Sequence, residues 1–259
     1  MDDDPLNDAI RILPLKGVPM IEAGDVLADI LLRAFETMGV TPADGDILVL
    51  AQKIVSKAEG RSVVLASVTP SAEAQAVAAR AGKDPRMVEL ILQESDHIMR
   101  ERPGTLIVRH RLGLVLANAG IDQSNIDHQD GEQALLLPRD PDASAEALRT
   151  ALMQRTGHSI GVMIIDSLGR AWRSGTTGTA IGIAGLPGLL DLRGRPDLHG
   201  RALQTSELGW ADEVAAAASL AMGQSNEGRP AVLIRGLALP PGTGTAAALV
   251  RPAALDLFP

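Results

Sequence analysis

The side chains best suited to chemistry fall in three short polar clusters, each directly behind an apolar run. In "LVLAQKIVSKAEGR" the run Leu48–Ala51 is followed by Gln52, Lys53, Lys57, Glu59 and Arg61. In "ANAGIDQSN" a glycine-containing turn offers Asn118, Asp122, Ser124 and Asn125. In "MIIDSLGRAWRSGTTG" Asp166 and Ser167 leave an apolar run directly, with Arg170 and Arg173 a few residues on. An aspartate at a strand end followed by a hydroxyl suits Mg²⁺ or Mn²⁺ held against phosphates, because hard ions take oxygen ligands and need only part of their shell from protein. Lysine ammoniums neutralise phosphate charge, and the planar arginine fork matches carboxylates and phosphates. Each cluster also has a plain reading: solvated lysines, an Asx turn at Asp122, a cap at Asp166, and arginines paired with surface acids. Taken together the three have the sign and chemistry of one metal–nucleotide site.

Other chemistries find little support. His97, His110, His128, His158 and His199 show no metal-ligand spacing, which argues against a zinc hydrolase. There is no nucleophile elbow, no Walker loop and no dinucleotide fingerprint behind a strand, so a bound nucleotide requires an uncommon fold. Cysteine is absent, which removes disulfides and thiolate sites and makes a reducing cytoplasm the expected location. The net charge of −8 and the scarcity of aromatic rings argue against nucleic acid as a partner. The acidic "MDDDPLNDAI" is unlike a signal peptide, and no apolar run is long enough to span a membrane.

Strands are expected at residues 47–51, 63–65, 105–108, 114–117, 160–165 and 231–234, where apolar runs are short and bounded by turn residues. Helices are expected over residues 24–38, from Thr69 (N-cap) and Pro70 to Gly82, from Asp84-Pro85 to Met99, over 142–156 and over 205–222. "TLIVRHRLGLVLA" reads as a hairpin of adjacent strands. The irregular alternation favours an α+β fold with mixed or antiparallel sheets over a doubly wound one, in two intimately joined lobes. One domain is expected over residues 10–240, with 241–259 a loosely held extension. The glycine-rich stretch 169–201 has little periodicity and reads as a long functional or mobile loop.

At these residues the sequence resembles the coenzyme F420-0:L-glutamate ligase family, also called CofE-like γ-glutamyl ligases. The matching segments are "LPLKGVPMI", "GDILVLAQKIVSKAEGR", "RLGLVLANAGIDQSN", "IIDSLGRAWRSGTTGTAIGIAGLPGLLDLRG", "GRALQTSELGWADEVAAAASLAMGQSNEG" and "AVLIRGL", in family order over residues 12–237. The resemblance implies a GTP-dependent ligase that adds L-glutamate to coenzyme F420-0, a deazaflavin precursor, through a γ-linkage. It implies Mg²⁺ or Mn²⁺, with two divalent ions possible, and K⁺. It also implies an intertwined homodimer of unusual fold with the nucleotide in a groove. Asp122, Asp166 and Ser167 match the family's metal positions, and Gln224 falls at a further one in a variable loop. Val18, Pro19, Met20, Ile21, Gln52, Lys53, Lys57, Asn125, Met222, Gly223, Gln224, Ser225, Asn226, Glu227, Gly228 and Arg229 match its nucleotide-contacting segments. Lys57, Arg170 and Arg173 are the candidates for a catalytic role, while Glu59 and Arg61 are left to positioning or to the second substrate. The flavin-dependent reductase domain of some relatives is not expected. A nucleotide-binding regulator, or a ligase for a different acid and amino acid, is the alternative. Two carboxylates sharing one metal should repel, so replacing either by asparagine is expected to stabilise the metal-free protein.

Overall fold

The computed structural model describes residues 9–126 and 131–256; His128 and Phe258 lie outside them. The elements run β1 (Arg11–Pro14), α1 (Leu27–Met38), β2 (Ile47–Ala51), α2 (Gln52–Ala58), β3 (Ser62–Val64), α3 (Ala72–Ala81), α4 (Pro85–Gln93), β4 (Ser95–Arg102), β5 (Thr105–His110), β6 (Val115–Ala117), β7 (Gln133–Leu135), α5 (Pro141–Thr156), β8 (Gly161–Arg170), β9 (Arg173–Ala184), β10 (Leu190–Asp191), β11 (Glu207–Leu208), α6 (Trp210–Met222) and β12 (Ala231–Arg235). The fold is α+β, as expected. Its main sheet is mixed, in the order β1-β12-β2-β8-β9, with β2 and β8 parallel and every other pair antiparallel.

Uninterrupted apolar runs form the centre of this sheet because both of its faces are covered. Leu48 and Leu50, Val162 and Ile164, and Ala231 and Leu233 face one core, which α1 and α5 close with Leu31, Phe35, Leu148 and Leu152. Their alternating neighbours Ile47, Val49, Met163, Ile165, Val232 and Ile234 face a second core under α6. A third core lies between α3, α4 and the sheet β4-β5-β6. Among the described residues no helix is long and apolar enough to cross a membrane.

Several expectations shift. Helix α3 begins at Ala72 rather than behind Thr69, because the Ser71 side chain accepts the Ala74 N–H at 3.1 Å and caps the first turn. Helix α4 starts behind Asp84 as expected but ends at Gln93, so Met99 lies in β4, where pairing with β5 overrides the helical pattern. The hairpin expected in "TLIVRHRLGLVLA" is β5–β6. Helix α6 starts at Trp210, since Glu207 and Leu208 pair with Asp191 and Leu190 instead.

The largest correction concerns 169–201. Its first half is not a loop: β8 and β9 form one long hairpin, paired from Val162↔Ala184 to Arg170↔Arg173. Its glycines serve close packing. A Cβ on Gly178 would lie 2.5 Å from the Ala215 carbonyl oxygen of α6, and one on Gly182 would lie 2.4 Å from the Pro141 carbonyl of α5. The segment past Leu239 is also held. Asp142 accepts the N–H groups of Ile183 and Ala246, and Gly244 N–H donates to the Leu186 carbonyl.

Candidate functional site

The parallel register of β2 and β8 builds the site. Ala51 lies opposite Ile165, so the residues that follow, Gln52 and Lys53 at the start of α2 and Asp166 and Ser167 further along β8, emerge side by side. Strand β12 is antiparallel to β2, with Ala231 opposite Leu50, so the 223–230 loop entering β12 reaches the same edge. The Ala51 N–H donates to the Pro230 carbonyl there. Helix α2 starts without a break after β2, so Lys53 and Lys57 stand one turn apart on a helix, which their spacing alone had left undecided.

The turn carrying Asp122 closes over them. Lys53 Nζ lies 2.6 Å from Asp122 Oδ2 and donates to Ser124 Oγ at 2.8 Å, and Lys57 Nζ donates to the Asn125 carbonyl at 2.7 Å. Asn125 Nδ2 donates to the Ser225 carbonyl, tying this turn to the 223–230 loop. Asp122 is itself held by two backbone hydrogen bonds with Leu135. On the other side, Ser167 Oγ donates to Gln224 Oε1 at 2.6 Å, and Gln224 Nε2 donates to Ser219 Oγ at 2.8 Å. Residues from four separate stretches therefore meet along the sheet edge that the C-terminal end of β2 and the adjoining part of β8, both interior strands, form: Gln52 to Lys57, Asp122 to Asn125, Asp166–Ser167 and Gln224–Ser225.

The two aspartates differ electrostatically. Burial pushes Asp166 above the usual carboxylate range and the Asp122 charge adds to this, with the Ser167 N–H and Lys53 offsetting part of it. Burial acts the same way on Asp122, but the Lys53 ammonium and the Ser124 N–H and hydroxyl outweigh it and hold Asp122 below its usual range. The expected symmetric repulsion is thus corrected: Asp122 has a counter-ion and Asp166 carries the strain. Asp122 Oδ1 also accepts the Ser124 N–H at 2.7 Å, so the Asx-turn reading and the site reading are both true of one side chain.

Donor chemistry can be judged against the implied metal. Among the described residues no group of three or more His, Asp and Glu side chains converges. The oxygen donors at hand come in two pairs, the carboxylates of Asp122 and Asp166, which act on each other's charge beside Lys53, and the hydroxyl of Ser167 with the amide oxygen of Gln224, an all-oxygen set. That set fits Mg²⁺ or Mn²⁺ with a shell completed by phosphates and water, and does not fit zinc.

The remaining candidates are placed as follows. Val18, Pro19, Met20 and Ile21 lie in the segment before α1, where Ile21 is buried and Met20 exposed. The Gly24 N–H on the Ala58 carbonyl fixes that segment beside the end of α2. Gln52 is buried and accepts the Ser56 hydroxyl, so it stiffens α2. Met222 is core, and Gly223 to Arg229 form the loop, with Glu227 accepting the Ser225 N–H. Arg170 and Arg173 do not join the cluster. They pair at the exposed hairpin tip, and Arg170 lies four strand residues beyond Asp166, about 13 Å away. Glu59 and Arg61 turn inward: Glu59 accepts the Arg139 N–H and the Ser144 hydroxyl, and Arg61 donates to the Leu137 carbonyl. Asn118 accepts the Leu106 N–H and shapes the turn. Sequence reasoning passed over Ser219, whose only signal is a lone hydroxyl in an alanine-rich helix.

The profile of the F420-0:gamma-glutamyl ligase family matches residues 17–236. The chain belongs to that family. It is 47% identical over 253 residues to the coenzyme F420:L-glutamate ligase of Methanothermobacter thermautotrophicus, covering 96% of this chain and 98% of the relative. Identity to the ligase of the same name from Methanopyrus kandleri is 41% over 253 residues, 96% of this chain and 97% of that one. For the Archaeoglobus fulgidus ligase it is 43% over 229 residues, 88% of each chain. The four stretches that meet at the sheet edge all lie inside the matched residues.

Proposed function

We propose that this chain joins L-glutamate to coenzyme F420-0 in a GTP-dependent reaction, forming an amide through an acyl phosphate. The observation that carries this reading is the meeting of Lys53, Asp122, Asp166, Ser167 and Gln224 at one sheet edge in a member of this ligase family. Amide formation from a carboxylate requires a better leaving group than oxide. The precursor's carboxylate oxygen attacks the γ-phosphorus and GDP leaves. The glutamate amine then attacks the acyl carbon, inorganic phosphate departs, and the amine gives up a proton. Nearly all of this is positioning and charge neutralisation. Lys57 and Lys53 stabilise phosphate oxygens, and the N–H groups and side chains of residues 18–21 and 222–229 border the nucleotide. Asp122, Asp166, Ser167 and Gln224 would hold one or two Mg²⁺ or Mn²⁺ ions, with K⁺ assisting, and the ions supply phosphate charge neutralisation. Arg170 and Arg173 reach a substrate from the hairpin tip, in a homodimer working in the cytoplasm.

Phosphate release by the purified chain tests this with GTP or ATP, L-glutamate, F420-0 and either metal. Release with GTP that needs both glutamate and F420-0 is the expected result. GTP binding with no glutamate-dependent release, or release only with another acid or amino acid, would overturn it.

A further inference from the structure

Lys53 stands where a cation would stand. Its ammonium has three oxygen acceptors: Asp122 Oδ2 at 2.6 Å, Ser124 Oγ at 2.8 Å and the Ser124 carbonyl at 3.3 Å. Both oxygens of Asp122 are engaged, since Oδ1 accepts the Ser124 N–H and Oδ2 also accepts the Ser124 hydroxyl at 3.0 Å. A divalent ion that ligates Asp122 Oδ2 needs the lone pair that Lys53 holds, and two cations on one carboxylate repel. The lysine is at the first turn of α2, on a flexible four-carbon stem with a quarter of its side chain exposed, so its ammonium can swing without moving the helix.

We propose that Lys53 is a tethered counter-ion that occupies the cation position at Asp122 and leaves it for nucleotide phosphate when the divalent ion arrives. This rests on the metal–nucleotide reading of the site and adds its order of filling. The ion alone binds weakly because it must displace the ammonium. Nucleotide offers the displaced ammonium a new partner, so ion and nucleotide strengthen each other's binding by the same factor.

Mn²⁺ titration without nucleotide, read from the paramagnetic resonance signal of the free ion, tests this on wild type, Lys53→Met, Lys53→Gln and Asp122→Asn. Both lysine variants should bind Mn²⁺ about tenfold more tightly than wild type, and adding a non-hydrolysable GTP analogue should then improve Mn²⁺ binding less than it does in wild type. The glutamine variant keeps a polar tip, so a folding defect in the methionine variant, visible by circular dichroism, does not remove the comparison. Unchanged or weaker Mn²⁺ binding in folded lysine variants, with Asp122→Asn weakened, would overturn the counter-ion role and leave the site reading standing. Unaltered Mn²⁺ binding in Asp122→Asn would overturn both.

Discussion

Asp122 and Asp166 sit close enough for each to feel Lys53, yet they contribute to stability with opposite sign. Asp122 titrates below its unfolded range, so its pair with Lys53 stabilises the fold above that range, and this is lost as pH falls through the lowered value. Asp166 titrates above its unfolded range, so the metal-free fold loses stability as pH rises from the unfolded value through the raised one. Asp122→Asn should therefore destabilise the metal-free protein at neutral pH, by about 1 kcal/mol for a half-exposed charged hydrogen bond. Asp166→Asn should raise the melting temperature under the same conditions. In ligase assays each variant should lose most activity, and the double variant little more, because groups that serve one ion act as a unit. Melting curves and rates for the three variants check both statements. Near-normal rates in either single variant would return that aspartate to a turn-forming role.

At the level of elements, the site depends on a buried ionic belt that contains none of its residues. Glu94, at the end of α4, is approached by Arg61, His110 and Arg111. Arg61 Nη2 lies 2.7 Å from Glu94 Oε2 but off the hydrogen-bond direction, so that contact is ionic rather than directional. Arg61 and Arg111 also donate to the carbonyls of Leu137, Pro138 and Arg139. The belt thereby ties the end of α2 and the turn after β5 to the strand that hydrogen-bonds Asp122. Burial raises the Glu94 carboxyl, yet the His110 and Arg61 contacts outweigh this and bring it from 4.5 to about 2. The sign follows from the depression: the contribution is complete above pH 4.5 and disappears as pH falls toward about 2. Glu94→Gln should cost about 3 kcal/mol at neutral pH, because it leaves buried arginine charge unpaired. It should also flatten the stability profile across that acid window. Denaturant midpoints measured across the window test this, and an unchanged midpoint at pH 7 would show that the belt holds nothing.

For the whole molecule, the cores pack the strands that carry the site, while part of its surroundings is open. The sheet edge is fixed between two cores, but the face of α6 beside Gln224 is uncovered. Leu220 is 88% exposed there and borders an open groove of about 550 Å³ lined by Thr176, Thr177, Gly178 and Ala216. Trp172 at the hairpin tip is 85% exposed. A single exposed apolar side chain is ordinary, but Leu220 lies with Ala216 and Ala217 along one groove, and apolar groups gathered on one face mark a partner surface. The proposed homodimer should use this face, so Leu220→Asp should halve the mass seen by sedimentation equilibrium and leave the circular dichroism spectrum unchanged. A wild-type mass in the variant, or a monomeric wild type, would exclude α6 from the interface.

Resemblance to known ligases supplied the family and the part that residues such as Gln224 would play, while the sequence by itself determined the apolar strands, the start of α4, the β5–β6 hairpin, the α+β class and the strand-exit polar groups Lys53, Asp122 and Asp166. These are local or patterned properties: strand runs, caps and strand-exit polar groups are written within a few neighbouring positions. Only the tertiary structure decided which polar groups share a space. The pairing of Lys53 with Asp122 joins residues sixty-nine positions apart (122 − 53), and it exists because β3, just past α2, pairs with β7, whose Leu135 in turn bridges Asp122. The stretch 169–201 read as a loop because its glycines break periodicity. In the fold those glycines are where α5 and α6 press on β9, a close approach visible only once helix and strand are placed together. Arg170 and Arg173 follow Asp166 closely in sequence, and only the β8–β9 hairpin shows that they stand at its tip, several strand residues away from the cluster.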